Sequence, residues 1–306
     1  MKRSKEVPSD KRLLSNKHLM MILFVIVVTV LGFVLYSFLQ TQEVKFSLKA
    51  AIVDQLGEEF PNPDFTEDGD VADILERAGF TVSYHRSETI NVAFYKELAK
   101  HNYGIILLRS HSATREDKTI VDFFTCEEYN IGKYHFEQDN DWLTKGYYSW
   151  KQDEYYFAIA PKFIENLGGS FPKSIVIAMG CYSMSETYTE MAEAFMKKGA
   201  AAYIGWTGPV QPSHTDNETV RLLSKLLVEN ETLREAVDSA KRDPLFRSRM
   251  EYYPSKAGNL TISSLSADEK TSSISLATTT LFEPIVTVYL CEALTSIRRT
   301  LDSAYC

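Results

Sequence analysis

The stretch from Lys173 to Ser183 reads KSIVIAMGCYS, a short apolar run that ends in glycine and cysteine. A second run, Tyr103 to Ala113, reads YGIILLRSHSA and ends in a serine and a histidine. Near-continuous apolar runs of this length are typical of strands that are buried on both faces of a parallel sheet. Ligands and catalytic groups of such sheets lie beyond the carboxyl ends of the strands. Cys181 and His111 are therefore the first candidates for a functional site.

Further apolar strands, separated by amphipathic helices, are predicted on both sides of these two runs. Apolar strands are predicted at Lys49–Leu56, Phe80–Tyr84 and Ala201–Trp206. Amphipathic helices are predicted between and after them: one ending at Gly79, one near Val92–Ala99, one ending at Gly199, and two at Asp216–Val228 and Thr232–Lys241. This alternation predicts an α/β fold, a three-layer sandwich in which helices cover both faces of a mostly parallel sheet.

Two regions interrupt the alternation. Residues 113–160 are crowded with aromatic side chains and contain a turn-like Asn130–Gly132, which predicts an antiparallel insertion of short strands. Its aromatic residues either line a cleft wall or pack as an ordinary β-flap. Residues 259–306 form a C-terminal extension with one or two strands expected around Ile274–Leu290, and the sequence does not place them.

The N-terminal region contains an uncharged apolar run from Leu19 to Leu39. At helical rise it spans about 31 Å, close to the roughly 30 Å of a bilayer core, so we predict a transmembrane helix at residues 19–39. A cleaved signal peptide is the alternative, but the run is longer than usual and no small-x-small cleavage site follows it.

Flanking charges give the orientation of this predicted anchor. Six basic residues lie in residues 1–18, which form a tail too short and polar to fold, whereas few follow the apolar run. The positive-inside rule then predicts a cytoplasmic tail and a domain of residues 40–306 outside the cell membrane. The expected location is therefore a single-pass protein of the cell membrane.

Charge and cysteine content exclude several classes. The chain has 33 basic and 41 acidic residues; six basic and two acidic ones lie in the tail, so the remainder has a net charge of −12. We therefore expect no nucleic-acid partner. Four scattered cysteines are too few for a disulfide scaffold, although Cys291 and Cys306 could pair, and no C-x-x-C predicts a zinc site.

A cysteine and a histidine at neighbouring strand ends suit nucleophilic catalysis. A free thiol has a pKa near ~8.5, so an imidazole must accept its proton or stabilise the thiolate. We expect Gly180 to permit a sharp turn that presents the sulfur. We also expect the helix after Cys181 to offer N–H groups that lower the pKa of the thiol.

These motifs resemble the caspase-like cysteine peptidases. The resemblance rests on a strand ending Ser-His, a strand ending Ala-x-Gly-Cys-x-Ser, and the later AAAYIGWTGPV of Ala200–Val210. It implies a caspase-like domain at residues 40–258, with Cys181 as nucleophile and His111 as general base. It also implies an oxyanion hole from the backbone N–H groups of Cys181 and Ser112, a polypeptide substrate and no cofactor.

The resemblance further implies a substrate pocket near Asp54, Met179 and Trp206. Two positions depart from the family pattern: Ser112 replaces the usual glycine, and Met179 stands where several relatives carry a polar specificity residue. An acidic cluster follows the first strand, and we interpret it as a solvated loop and helix start; a pocket for a basic substrate side chain is the alternative. The cluster comprises Glu58, Glu59, Asp64, Glu67, Asp68 and Asp70.

Two alternatives stay open at this point. His214 follows the strand Ala201–Trp206 and is a rival for the general base. The departures at Ser112 and Met179 favour a second function, in which a catalytically degenerate caspase-like domain acts as a cell-surface binding module. No G-x-S-x-G, G-x-x-x-x-G-K or H-E-x-x-H motif points to another chemistry.

Overall fold

The structure is a computed structural model that describes residues 16–40, 45–115, 120–148, 150–151, 153–185 and 187–267. The chain divides into two compact units, Met1–Val44 and Lys45–Cys306. Most of the predicted C-terminal extension, with its expected strands and with Cys291 and Cys306, lies outside the described residues.

The described part of the first unit contains one helix, α1 (Asn16–Gln40). Within the described residues, none of the helices has both the length and the apolar character needed to cross a membrane. The predicted transmembrane helix at residues 19–39 is therefore wrong, and the location at the cell membrane stays a prediction.

The second unit contains ten described strands. In chain order they are β1 (Lys49–Asp54), β2 (Thr81–Arg86), β3 (Ile105–Arg109), β4 (Ser112–Thr114), β5 (Val121–Glu128), β6 (Leu143–Tyr147), β7 (Tyr155–Ile159), β8 (Ile175–Ala178), β9 (Ala202–Trp206) and β10 (Met250–Tyr253). Six of them form a central sheet in the order β10-β9-β8-β3-β1-β2. Its pairs are parallel except for the β9–β10 pair at one edge.

Helices lie between these ten strands along the chain. They are α2 (Asp70–Arg77), α3 (Val92–Leu98), α4 (His135–Asp139), α5 (Pro161–Glu165), α6 (Glu190–Lys197), α7 (Pro212–Leu223) and α8 (Leu233–Asp238). Gly79 ends α2 with φ +90°, as its position predicts. Thr232 and Glu235 form a capping box at the start of α8, with both reciprocal hydrogen bonds present.

Successive residues of the central strands point to opposite faces of the sheet. Ala50 and Ile52 belong to one hydrophobic cluster, together with apolar residues of α2, α7 and α8. Ala51 and Val53 belong to a second cluster with residues of α3, α5 and α6. Helices therefore cover both faces of the sheet, which explains why the strands read as unbroken apolar runs.

A second, antiparallel sheet occupies the region where the aromatic insertion was predicted. Its strand order is β4-β5-β7-β6. Phe123, Phe157 and Ile159 pack from one face into the core. Residues of alternate register, including Phe124 and Ala158, line a cleft on the other face. The insertion thus supplies both core packing and a cleft wall.

Candidate functional site

The loops that follow β3 and β8 are in direct contact. The two strands are parallel neighbours, with Leu108 opposite Ala178, so both chains leave the sheet at the same edge. A Cβ on Gly180 would lie only 2.3 Å from Ser112 Oγ and 2.5 Å from the Ser110 carbonyl oxygen. Gly180 is therefore required for this close approach rather than for the sharp turn that the sequence suggested.

Ser112 ties the two loops together. Its hydroxyl donates a hydrogen bond of 2.6 Å to the carbonyl oxygen of Cys181. Ser112 thus joins the histidine loop to the cysteine loop. A glycine at this position would lack that bond.

Cys181 and His111 line one cleft. The cleft has a volume of about 830 Å³, and its walls include Tyr148, Trp150 and Pro209. The structure therefore brings the two predicted site residues to the same concave surface. Among the described residues, no hydrogen bond joins the imidazole to the thiol, so the two groups line the cleft without being paired at rest.

A carboxylate orients the His111 ring. Nε2 lies 3.3 Å from Glu59 Oε2, and Trp150 Nε1 donates to Glu59 Oε1 at 2.7 Å. A carboxylate accepts hydrogen bonds only, so this contact favours the tautomer with the proton on Nε2. Nδ1 then keeps its lone pair, and it has no hydrogen-bond partner in the described part of the chain. His111 accordingly has a basic nitrogen available.

Aromatic rings enclose the imidazole on several sides. The ring of Tyr148 lies 4.7 Å from it and that of Trp150 5.6 Å, measured between centroids. This burial lowers the pKa of His111 below its ordinary value, and the charge and hydrogen bond of Glu59 oppose the shift. His111 is therefore neutral at pH 7, as a general base must be.

The thiol of Cys181 is protonated at rest. Burial raises its pKa, and the hydrogen bond from the backbone N–H of Val210, 3.4 Å from Sγ, acts in the opposite direction. We expected a helix that starts just after Cys181 to lower the pKa of its thiol. This prediction is wrong, because α6 begins only at Glu190. The resting pair is thus a thiol and a neutral imidazole, not an ion pair.

Among the described residues, the backbone N–H groups of Ser112 and Cys181 have no backbone acceptor. The N–H of Phe124 in β5 donates to the carbonyl oxygen of His111, and Ser112 in β4 lies opposite Phe123. This hydrogen bond makes Ser112 and Phe123 a non-hydrogen-bonded pair of the antiparallel ladder. In such a pair the N–H of Ser112 points away from β5. The Cys181 N–H lies against its own sulfur.

The residue after the cysteine has an unusual backbone conformation. Tyr182 has φ 56°, in the left-handed region, which costs a non-glycine residue about 1–3 kcal/mol. Its N–H donates to the Gly208 carbonyl at 2.9 Å, which helps to hold this conformation.

The pocket predicted from Asp54, Met179 and Trp206 is not part of this cleft. All three side chains are buried, with exposed fractions of 2%, 1% and 0%. Met179 packs in the hydrophobic core, and Trp206 Nε1 donates to Thr215 Oγ1 at 2.8 Å. Strands buried on both faces direct such residues inward, which corrects the predicted pocket.

Asp54 is held in a buried ion-pair network around Arg109. The guanidinium donates to Asp54 at 2.6 Å and to both oxygens of Asp216 at 2.8 Å. It also donates to the Phe60 carbonyl at 2.7 Å, and Arg109 itself is fully buried. The network joins the ends of β1 and β3, and the loop after β1, to α7. An arginine at the end of an apolar run was the only sequence signal for it.

His214, the rival base, lies elsewhere. Its Nε2 contacts the Lys241 carbonyl at 2.9 Å, and its ring packs 5.4 Å from that of Trp206. It is not among the residues that line the cleft. No cluster of three or more His, Cys, Asp or Glu residues suited to a metal ion occurs within the described ranges.

Comparisons with known proteins add a distant similarity in structure. No family model matches the chain, and no curated protein matches it either. A solved structure, the Arg-specific cysteine proteinase gingipain R, superimposes with a TM-score of 0.35 and 13% sequence identity. The match covers 61% of this chain and 38% of gingipain R, so this chain spans well under half of that protein. At this TM-score the superposition carries no further argument.

Proposed function

We propose that this protein is a caspase-like cysteine endopeptidase that acts on polypeptides. The observation that carries the proposal is that His111 and Cys181 share one cleft, with a carboxylate on the far nitrogen of the imidazole. Cys181 is the nucleophile, His111 the general base, and Glu59 the residue that positions the base. The fold and motifs support this reading, and no cofactor is involved in it.

The reaction follows from a neutral resting pair. His111 Nδ1 takes the thiol proton as the sulfur attacks the peptide carbonyl, and a C–S bond forms. The N–H groups of Ser112 and Cys181 stabilise the resulting oxyanion. The C–N bond then breaks, and the imidazolium gives its proton to the leaving amine. Water, deprotonated by His111, hydrolyses the thioester and restores the thiol.

The alternative is a degenerate domain that binds polypeptides without cleaving them. The raised pKa of the thiol and the absence of a thiol–imidazole hydrogen bond in the described residues favour it. The two functions differ in one property, because only the peptidase turns over a peptide. Binding in the cleft without any cleavage would favour the alternative.

A cleavage assay tests the proposed function. The full-length protein is incubated with a mixture of unstructured peptides, and new termini are mapped by mass spectrometry. We expect cleavage by the wild-type protein and none by Cys181→Ala purified in the same way. Equal cleavage by both preparations, or none by either, would contradict the proposal.

The Glu59 contact predicts a specific pH effect. Activity needs neutral His111, so it is lost as the pH falls through the pKa of this residue. Glu59 raises that pKa, so Glu59→Gln should shift the acid limb of the kcat/KM profile to lower pH. The rate at the plateau should fall by less than the ~10²–10⁴-fold that loss of the base itself costs.

Glu58→Gln is the matched control for this prediction. It makes the same change of charge one residue away, without a contact to the imidazole. An acid limb that moves to higher pH in Glu59→Gln, or that moves equally in both variants, would exclude the orienting role of Glu59.

A further inference from the structure

Gln55 lies immediately after β1 and is buried, with an exposed fraction of 7%. Its backbone N–H donates to the Arg109 carbonyl at 2.9 Å, which fixes the residue beside the end of β3. Its side chain therefore starts from a rigid position between the central sheet and the antiparallel insertion. A buried amide needs partners for its donors and its acceptor, and those partners are informative.

The acceptor of this amide holds the histidine loop. Gln55 Oε1 accepts a hydrogen bond of 2.9 Å from the backbone N–H of His111. A backbone N–H can only donate, so this contact also fixes which end of the amide is oxygen. The position of the His111 backbone is thus determined by a side chain from a different strand.

The Nε2 group of the same amide contacts Tyr148, which is part of the cleft wall. Gln55 Nε2 donates to the Tyr148 hydroxyl at 3.2 Å and lies 3.7 Å from Cys126 Sγ. Tyr148 is the ring that lies nearest to the imidazole, and it stacks on Phe124 and Trp150. One side chain therefore fixes the backbone of His111 and the aromatic ring that packs on its imidazole.

We propose that Gln55 is a positioning residue, which holds the imidazole of His111 and the Tyr148 wall of the cleft in fixed positions relative to Cys181. This inference rests on the proposed function for its kinetic consequence, but its geometric part can be tested without turnover. The two hydrogen bonds of Gln55, to the His111 N–H and to the Tyr148 hydroxyl, form a bridge between the histidine loop and the cleft wall. This bridge matters because misplacing a catalytic group by about 1 Å can cost on the order of 10²-fold in rate.

The decisive variant is Gln55→Met, which keeps the length of the side chain and removes both hydrogen bonds. We expect kcat for peptide cleavage to fall on the order of 10²-fold, with a smaller change in KM. Tyr148→Phe removes only the hydroxyl and should cause a smaller loss. The double variant should be no worse than Gln55→Met, because both changes break the same bridge. Gln55→Glu keeps the acceptor for the His111 N–H and should recover part of the rate.

Gln138→Met is the matched control. It makes the same substitution at a glutamine of the insertion that bonds Tyr129 and does not line the cleft. It should leave kcat unchanged. Melting temperatures of all variants identify any that fail to fold, and Gln55→Glu then carries the kinetic comparison in place of the methionine variant.

An NMR titration separates this inference from the proposed function. The ring signals of His111, assigned by their loss in His111→Ala, should shift and change their pKa in Gln55→Met but not in Gln138→Met. Unchanged His111 signals in Gln55→Met would overturn the positioning role, whether or not the protein cleaves peptides. Shifted signals in a protein without any peptidase activity would uphold the bridge and overturn the proposed function alone.

Discussion

His111→Ala is expected to lower kcat/KM for peptide cleavage on the order of 10²–10⁴-fold, the range for loss of a positioned general base. The thiol of Cys181 is protonated at rest because burial raises its pKa, so it depends on the imidazole for activation. Cys181→Ala should abolish turnover altogether. The double variant should be no worse than Cys181→Ala, because residues that act as a unit are not additive.

His214→Ala is the control for the loss of a histidine. His214 contacts the Lys241 carbonyl outside the cleft, and its removal should change kcat/KM little. Circular dichroism of each variant checks that the fold is retained. A larger loss in His214→Ala than in His111→Ala would identify His214 as the general base and contradict the mechanism.

Arg109→Met is expected to lower the free energy of unfolding by about 3–5 kcal/mol, because it leaves buried carboxylates without their cation. Asp54 and Asp216 are 2% and 3% exposed and both bond the guanidinium. Denaturant unfolding followed by circular dichroism measures the change. Arg77→Met is the matched control. The Arg77 side chain is 78% exposed and pairs with Asp73, so this variant should lower the free energy of unfolding by less than about 1 kcal/mol.

The loss in Arg109→Met should depend on pH with a defined sign. Burial raises the pKa of Asp54, and Arg109 acts against that shift. Without the guanidinium the folded-state pKa of Asp54 rises further above its unfolded value. The folded variant then binds more protons than the unfolded one, so its stability falls as the pH rises through that pKa. A loss of stability that does not grow between pH 4 and pH 8, or that equals the loss in Arg77→Met, would contradict this role of the network.

The strands that carry the candidate site could be predicted because their sequence signal is local. The apolar runs before His111 and Cys181 are β3 and β8, and these strands are adjacent in the sheet. Parallel neighbours end at the same edge, so the two loops had to meet. The antiparallel insertion was also visible, from its aromatic residues and its turn.

The partners of His111 could not be predicted, because they are loop residues distant in the sequence. Glu59 and Gln55 precede the histidine by 52 and 56 positions. Glu59 stands in an acidic cluster that resembles any solvated loop, and nothing in the sequence separates it from Glu58. Only the path of the loop after β1 brings it to the imidazole.

The predicted pocket failed for a different physical reason. A strand buried on both faces has no alternation of polar and apolar residues, so its sequence does not say which side chains point inward. Met179 and Trp206 lie on such strands or at their ends, and both are in the core. Asp54 looked like a pocket carboxylate, but its cation is Arg109, a contact 55 positions away.

Covalent labelling with peptidyl acyloxymethyl ketones, followed by mapping of the adduct, tests directly whether Cys181 and His111 form a peptidase site. We expect Cys181 to be modified much faster than Cys126, whose thiol has a pKa raised to about 11 by burial. We also expect His111→Ala to slow the modification of Cys181, and simple alkylating agents to discriminate less between the two thiols than the peptidyl reagents do. Equal labelling of Cys181 and Cys126, with no effect of His111→Ala, would contradict the claim that these two residues form a peptidase site.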